Sequence, residues 1–372
     1  MKKIMVVFGT RPEVIKLAPV IKELQKYTKI FSVFTCTTAQ HRQMLDDMLN
    51  LFKIKPHCDL NIMRENQSIF EVTTKCLKGI ERILKKERPD IVLVQGDTTT
   101  TFATSLASFY LKIPVGHIEA GLRTNDKYKP FPEEINRRLT SHIADLHFVP
   151  TKEAKKNLLD ENISENAIFL TGNTVVDALF YILKEIKNKK ILVKDFSFLN
   201  LNLNRLILVT AHRRENFGKP LRNICYALRK IVEQNKNIVI VYPVHPNPNV
   251  QRTVKQILKE IKRIYLIEPL DYASFIYLMN LSYLILTDSG GVQEEAPSLG
   301  KPVLILRDKT ERPEIIRYGM GKLVGTDAAD IIRNVETLLY NYKIYKEMVK
   351  RKNPFGDGKA SQRIVSVLNK IL

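Results

Sequence analysis

Short apolar segments alternate with segments of helical period along the chain, and this alternation constrains the fold more than any other feature of the sequence. Most of the apolar segments are followed by Gly, Pro, His or Asp, as in βαβ units built around a parallel sheet. The first half contains five predicted strands, at residues 4–8, 31–36, 91–94, 115–118 and 146–149. Helices are predicted between and after them, near residues 12–26, 40–51, 68–87, 98–110, 132–143 and 151–160.

The second half repeats this pattern after a lysine-rich stretch at residues 184–194. Its predicted strands lie at residues 206–210, 238–241, 264–267, 284–286 and 303–306. We therefore expect an α/β protein with two Rossmann-like domains, at 1–175 and 200–353, joined by a linker at 176–199. The last helix, at about 354–372, is expected to return to the first domain. Ligands bind beyond the carboxyl ends of parallel strands, which directs attention to the residues that follow each strand.

Composition fits a globular protein with a full apolar core, at 372 residues, 44% hydrophobic and 26% charged. The excess of 59 basic over 39 acidic residues gives +20, which raises the possibility of anionic partners. The charge is spread along the chain and no nucleic-acid motif accompanies it, so we expect no nucleic-acid partner. Four cysteines without CxxC spacing are interpreted as reduced packing residues. We find no signal peptide or apolar run of membrane-spanning length, which predicts a cytoplasmic protein without membrane attachment.

The first strand runs into Gly-Thr-Arg-Pro-Glu at residues 9–13, the type of sequence that begins a helix. Gly9 permits a sharp turn, Thr10 can cap the helix and Pro12 fits its first turn. Arg11 and Lys16 could hold a phosphate group or could be solvated cations. No GxGxxG is present here, so the fingerprint of nicotinamide cofactors is missing.

Three acidic sites fall at strand or helix ends of the first half. Asp97 follows the third strand, Glu119 follows the fourth, and Glu133 and Glu134 open the next helix. Taken singly, Asp97 could be a helix N-cap, and the two glutamates could be ordinary first-turn acids. Together they suggest acid/base chemistry, because closely spaced carboxylates raise one another's pKa.

In the second half, His212 follows the first strand and His245 lies in the turn after the next. Each is interpreted either as a structural residue or as a ligand contact. The strongest local signal is Ser289-Gly290-Gly291 at a predicted helix start, with Glu295 just beyond one turn. Such a loop lets backbone N–H groups approach a diphosphate, and a glutamate one turn further can reach ribose hydroxyls.

Read in order, these segments resemble the non-hydrolysing UDP-N-acetylglucosamine 2-epimerases over essentially the whole chain. The matching motifs are FGTRPE at 8–13, QGDT at 95–98, HIEAGLRT at 117–124, PEEINR at 132–137, HRREN at 212–216 and SGGVQEE at 289–295. The resemblance implies a GT-B fold with the active site between the domains, a homodimer, and interconversion of UDP-GlcNAc and UDP-ManNAc without NAD or metal. The product would supply ManNAc-type sugars for surface polysaccharide or glycan synthesis.

The resemblance also implies roles for individual residues. Anti elimination of UDP across C1–C2 would give a 2-acetamidoglucal, to which UDP is added back after a proton returns to C2. The acid/base carboxylates would be Asp97, Glu119 and Glu133, with His212 near the diphosphate or the leaving oxygen. The UDP-sugar contacts would be Arg11, Lys16, Phe275, Ser289, Gly290, Gly291, Glu295 and Arg312.

Bacterial members of this family are activated by a second UDP-GlcNAc beside the active site. Gln40, Gln43 and His245 match parts of that allosteric site, whereas residues 63–67 depart from the family's glycine-containing pattern.

Three other activities remain open from the sequence: a UDP-2,3-diacetamido-sugar 2-epimerase, a GT-B glycosyltransferase and a hydrolysing 2-epimerase.

Overall fold

The computed structural model describes residues 1–39, 42–62, 64 and 67–372, except for the side chains of 42–44. The chain divides into two compact units. The first comprises Met1–Tyr181 and Phe355–Leu372, and the second comprises Ile182–Pro354. No helix within the described residues is long and apolar enough to cross a membrane.

The first unit is built on a parallel sheet, which has seven strands within the described residues. These strands are β1 (Lys2–Phe8), β2 (Phe31–Thr37), β3 (Cys58–Asp59), β4 (Ile91–Gln95), β5 (Val115–Ile118), β6 (Leu146–Val149) and β7 (Ile168–Leu170). Their order is β3-β2-β1-β4-β5-β6-β7. The helices are α1 (Arg11–Leu24), α2 (Arg42–Leu51), α3 (Ile69–Glu87), α4 (Thr99–Tyr110), α5 (Glu133–Ile143), α6 (Lys152–Asp160), α7 (Thr174–Lys187) and the C-terminal α15 (Ala360–Ile371).

The second unit has its own parallel sheet, with six strands in the part of the chain that is described. They are β8 (Arg205–Thr210), β9 (Ile238–Pro243), β10 (Ile264–Ile267), β11 (Leu284–Thr287), β12 (Val303–Ile305) and β13 (Gly321–Leu323), in the order β10-β9-β8-β11-β12-β13. The helices are α8 (Lys219–Gln234), α9 (Pro248–Leu258), α10 (Tyr272–Leu281), α11 (Gly290–Glu295), α12 (Pro313–Arg317), α13 (Ala328–Tyr340) and α14 (Tyr342–Val349). Short 3-10 turns lie at Glu165–Ala167, Ser197–Leu199, Arg214–Asn216 and Ala296–Leu299.

Both sheets are buried on two faces, which explains why their central strands are continuous apolar runs rather than alternating ones. In β1 the side chains from Ile4 to Phe8 are all buried, and β8 is buried from Leu206 to Thr210. The predicted Rossmann-like α/β fold with two parallel sheets is confirmed.

The structure adds three strands that the sequence does not predict, namely β3, β7 and β13, and each lies at the edge of its sheet. They are two or three residues long, too short for a hydrophobic period to be recognised. The segment predicted as a linker, 176–199, begins inside helix α7, because Val176, Leu179 and Ile182 are buried. The division between the units falls within this helix, after Tyr181.

The strand order of each sheet changes direction at one point, between β1 and β4 in the first unit and between β8 and β11 in the second. Loops that leave neighbouring strands in opposite directions open a crevice at such a point, where parallel α/β sheets bind ligands. Gly9 and Asp97 follow β1 and β4, whereas His212 and Ser289 follow β8 and β11. The topology therefore places Asp97 at the first of these points and His212 and Ser289 at the second.

Candidate active site

The crevice of the first unit is held together by Glu13, a fully buried acid in the first turn of α1. Its carboxylate accepts the N–H of Gly9 at 3.0 Å and the hydroxyl of Thr98 at 2.8 Å. Burial raises the pKa of Glu13, although these hydrogen bonds act in the opposite direction. Thr10 occupies the N-cap position but makes no side-chain capping bond, so the predicted capping bond is not formed.

Asp97 lies two residues after the end of β4 but is not the N-cap of the next helix. Thr98 takes that position and accepts the N–H of Thr101. The Asp97 carboxylate instead accepts a hydrogen bond from the guanidinium of Arg137 on α5, and its carbonyl accepts one from Asn136 at 3.0 Å. Asp97 is thus fixed by α5 and not by its own helix.

His117, one of two histidines buried in this sheet, supports the same loop. A ring nitrogen, Nε2, lies 2.7 Å from the carbonyl oxygen of Gly96, which can only accept, so Nε2 carries the proton. Burial lowers the pKa of His117 to about 3. The neutral ring is therefore a fixed hydrogen-bond donor beneath the Asp97 turn.

Glu119 follows β5 in a left-handed backbone conformation, with φ of 64°. Such strain in a residue other than glycine is found where the surroundings over-determine the position, often at functional sites. Its carboxylate binds Lys16 at 2.5 Å and the Nδ2 of Asn173 at 2.8 Å, and it also accepts a hydrogen bond from the Nε2 of Gln95. Lys16 is therefore occupied by a carboxylate, and neighbouring Arg11 is exposed at the start of α1.

The two glutamates at the start of α5 differ in their contacts. Glu134 is fully buried, accepts the backbone N–H of Thr124 at 3.1 Å and that of Asn125 at 3.3 Å, and pairs with Arg138, which is a structural role. Glu133 has a buried oxygen, Oε2, with no hydrogen-bond partner in the described part of the chain. Of this pair, Glu133 is the one available to chemistry.

In the second unit, His212 follows β8 and Asp288 follows β11, at neighbouring points of the sheet. Asp288 is fully buried and accepts the backbone N–H of His212 at 2.8 Å. The rings of His212 and His245 stack with centroids 5.2 Å apart, so the two histidines are brought together. Burial lowers the pKa of His212, although the neighbouring Asp288 acts in the opposite direction.

The loop Ser289 to Gly291 leads into the short helix α11, and Ser289 makes no side-chain capping bond. A Cβ atom built on Gly291 would meet nothing within 4 Å among the described residues, and one on Gly290 would meet only the Nη2 of Arg213, at 3.7 Å. The space above these two glycines is open. Their backbone N–H groups can therefore be approached closely by an anion.

The remaining candidates are Glu295 on α11, Phe275 on α10 and Arg312 at the N-cap of α12. Glu295 accepts the hydroxyl of Tyr272 at 2.7 Å, and Phe275 is half-buried one turn further along α10. Arg312 forms an ion pair with Glu294. Gln40 and the side chain of Gln43 lie outside the described residues.

Several residues of these sites escaped the sequence analysis: Gln95, Arg137, Asn173, Asp288 and Tyr272. Gln95 and Arg137 stand inside the quoted motifs and Asp288 directly precedes one, so their adjacency to candidate residues was the available signal. No sequence signal marked Asn173 or Tyr272, because only the fold brings Asn173 to Glu119 and Tyr272 to Glu295.

Two Rossmann-like units, one with buried carboxylates and one with an open glycine loop, define a GT-B class α/β protein. The family model for UDP-N-acetylglucosamine 2-epimerase matches residues 22–369. The chain is 52% identical to the UDP-N-acetylglucosamine 2-epimerase of Salmonella typhimurium over 98% of both chains. It belongs to the UDP-N-acetylglucosamine 2-epimerase family, as the motifs predicted.

Solved structures agree with this assignment. The UDP-GlcNAc 2-epimerase of Neisseria meningitidis bound to UDP-GlcNAc has 50% identity and a TM-score of 0.89, with 99% of this chain and 100% of that chain covered. The enzyme of Methanocaldococcus jannaschii in complex with UDP-GlcNAc and UDP has 40% identity and a TM-score of 0.78, with 99% of each chain covered.

Proposed function

We propose that this protein interconverts UDP-GlcNAc and UDP-ManNAc by eliminating UDP across C1–C2 and adding it back after a proton returns to C2. The observation that carries the proposal is the set of acids at the carboxyl edge of the first sheet. Asp97 and Glu119 follow adjacent strands, and Asn136 and Arg137 of α5, the helix that Glu133 opens, contact Asp97. Family membership and relatives named for this activity support the same conclusion.

The reaction explains why such acids are needed. The C2 proton of the sugar is weakly acidic, so a carboxylate must remove it while UDP departs and another group must return a proton to the opposite face. We assign these two tasks to members of the set Asp97, Glu119 and Glu133. Each of the first two is held in place by a cation and an amide, which fixes the geometry that proton transfer requires.

The second unit supplies the groups that we assign to the UDP moiety. Backbone N–H groups of Ser289 to Gly291 would bind the diphosphate, with His212 stabilising the charge on the leaving oxygen. Glu295 would contact the ribose and Phe275 the uracil. Arg11 and Lys16 of the first unit and Arg312 of the second complete the proposed contacts.

The test is proton NMR of the protein with UDP-GlcNAc in D₂O, without added cofactor. We expect deuterium to appear at C2 together with UDP-ManNAc. No exchange with UDP-GlcNAc but exchange with a UDP-2,3-diacetamido sugar would assign the protein to that substrate. Transfer of the sugar to an acceptor without C2 exchange would indicate a glycosyltransferase and overturn the proposal.

We further propose that the chain forms a homodimer through an apolar surface on α4 and α5. These helices pack against each other, and their outer faces expose Phe109, Tyr110, Ile135 and Leu139. Large apolar side chains exposed on two helices that pack together are typical of an interaction site. A second copy presenting the same face would bury it by two-fold symmetry.

Light scattering after gel filtration tests this proposal. The wild type is expected near twice the chain mass of 42.9 kDa, and Leu139→Glu near the single-chain mass. Leu192→Glu is the matched control, since Leu192 is 90% exposed and belongs to the second unit rather than to α4 or α5. A monomeric wild type would refute the dimer.

Activation by a second UDP-GlcNAc is proposed as well, through Gln40, Gln43 and His245. If it occurs, initial rates with UDP-ManNAc alone should show a lag that a trace of UDP-GlcNAc removes. Hyperbolic kinetics that do not respond to UDP-GlcNAc would exclude activation.

A further inference from the structure

Asn173, which lies between β7 and α7, is a buried asparagine whose amide contacts one of the candidate acids. It is 2% exposed, and its Nδ2 donates to the Oε1 of Glu119 at 2.8 Å. Its Oδ1 accepts the backbone N–H of Val175 at 3.0 Å. A backbone N–H can only donate and a carboxylate can only accept, so both contacts require the same orientation of the amide. The NH₂ group of Asn173 is therefore directed at Glu119.

The backbone of Asn173 is fixed by the last segment of the chain. Its N–H donates to the carbonyl of Phe355 at 2.6 Å, and Phe355 is the residue at which the chain returns to the first unit. Gly172 precedes Asn173 with φ of 90°, and a Cβ atom on Gly172 would lie 3.3 Å from the Cα of Gly356. Because two backbones approach this closely, Asn173 has little freedom to move and can serve as a rigid support.

The donors that contact Glu119 in the described part of the chain are shared unequally by its two oxygens. Oε1 accepts the Nζ of Lys16 at 2.5 Å as well as the amide of Asn173. Oε2 accepts the Nε2 of Gln95, and a Cβ atom built on Gly96 would lie 3.8 Å from it. Each carboxylate oxygen has about two lone-pair sites, so Oε1 is fully used and Oε2 keeps one. Oε2 also faces the turn that follows β4.

We infer that Oε2 is the oxygen of Glu119 that transfers the C2 proton, and that Asn173 is the positioning residue that keeps the carboxylate turned this way. The inference rests on the proposed function, in which Glu119 is one of the acid/base groups. Glu119 has a left-handed backbone, a conformation that persists only where the surroundings fix it. Without the amide of Asn173, Lys16 would hold Oε1 through a flexible chain, and the carboxylate could rotate.

Asn173→Asp tests the inference, because it keeps the acceptor for Val175 and replaces the amide donor by a carboxyl group. Burial and the neighbouring Glu119 raise the pKa of the introduced acid, while Lys16 keeps the negative charge on Glu119. Below that pKa the introduced acid is protonated and donates to Oε1 as the amide does. Above it, two carboxylates repel each other. We expect kcat within about threefold of wild type at about pH 5.5, and at least about 10-fold below it at about pH 8.

Asn173→Ser separates the contact with Glu119 from the support of α7. The serine hydroxyl can still accept the N–H of Val175, but the side chain is shorter by one bond and does not reach Glu119. We expect kcat to be about 10- to 100-fold below wild type at every pH, which is the effect of losing a hydrogen bond to a charged group. KM for UDP-GlcNAc should change by less than about threefold, because the residues assigned to UDP are untouched.

Asn235→Asp is the matched control, because Asn235 is a buried asparagine of the second unit whose amide is also bonded at both ends. Its Nδ2 donates to the carbonyl of Ile231 at 2.8 Å, and its Oδ1 accepts the hydroxyl of Tyr340. The variant should be less stable than wild type, but the ratio of its kcat to that of wild type should not depend on pH. A ratio independent of pH in Asn173→Asp, or a normal kcat in Asn173→Ser, would overturn the inference.

Thermal unfolding tests the same contact without turnover. An acid whose pKa is raised in the folded state loses its stabilising effect as the pH rises through that pKa, so the melting temperature of Asn173→Asp should fall relative to wild type between about pH 5 and pH 8. The fall should be smaller in Asn173→Asp/Glu119→Gln, where the introduced acid faces a neutral amide. An equal fall in both variants would also overturn the inference. Absence of C2 exchange in the wild type would instead refute the proposed function, and the melting temperatures would still report on the contact.

Discussion

Asp97→Asn is expected to reduce kcat for epimerisation by about 100- to 10,000-fold, the range that general acid/base groups contribute. The substitution keeps the shape of the side chain and one oxygen for Arg137, but it removes the charge and the ability to accept a proton. The fold should tolerate it, because Asn136 binds the backbone carbonyl and not the carboxylate. UDP affinity should change little, since the residues assigned to UDP are mainly in the second unit.

Turnover and C2 exchange by NMR, with UDP binding by calorimetry, measure the two effects separately. The control variant is Asp126→Asn. Asp126 is an acid near the surface that lies 3.9 Å from the ammonium of Lys129, and its substitution should leave kcat unchanged. Glu119→Gln should also slow turnover strongly, but with a lower melting temperature, because it leaves the ammonium of Lys16 beside a neutral amide. Activity near wild type in both Asp97→Asn and Glu119→Gln would remove these carboxylates from the mechanism.

Much of the architecture follows from the sequence because the central strands are buried on both faces. A continuous apolar run such as that of β1 has one physical explanation when a turn signal and a helical period follow it. The edge strands β3, β7 and β13 could not be predicted, since pairing with a neighbour on one side and not their own composition makes them strands. Strand order also places Asp97 and Glu119 at neighbouring sheet positions, which a list of motifs cannot do.

The ion pairs of the site were harder to predict from the sequence. The sequence suggested carboxylates that raise one another's pKa. In the structure, Asp97 forms an ion pair with Arg137, and Glu119 forms one with Lys16. Lys16 and Glu119 are 103 residues apart, and each was singled out for a different reason, one as a phosphate ligand and the other as an acid. Pairings of this kind depend on which side chains the folded backbone brings within about 3 Å, a distance that sequence spacing does not encode.

The second large effect is expected from Gly291→Val, which should weaken UDP binding by about 100-fold or more, equivalent to about 2.7 kcal/mol, with little change in melting temperature. A side chain at this position enters space that is open in the protein and that we assign to the diphosphate. The backbone of Gly291 is helical and not left-handed, and valine has a higher helix propensity than glycine, so the substitution should not strain the backbone there. Gly291→Ala should give an intermediate loss of affinity.

Gly9, unlike Gly291, has no room for a side chain. A Cβ atom in Gly9→Ala would lie 2.2 Å from the Oγ1 of Thr38 and 2.4 Å from that of Thr100. Both hydroxyls are buried and bonded to each other, so the methyl group must displace packed atoms and should lower the melting temperature. UDP affinity should fall less in that variant than in Gly291→Val, because the Ser289–Gly291 loop assigned to the diphosphate is unchanged. Calorimetric titration with UDP and thermal unfolding distinguish the two glycines. Normal UDP affinity in Gly291→Val would show that the diphosphate does not bind above this loop, because no bound anion could share that space with an isopropyl group.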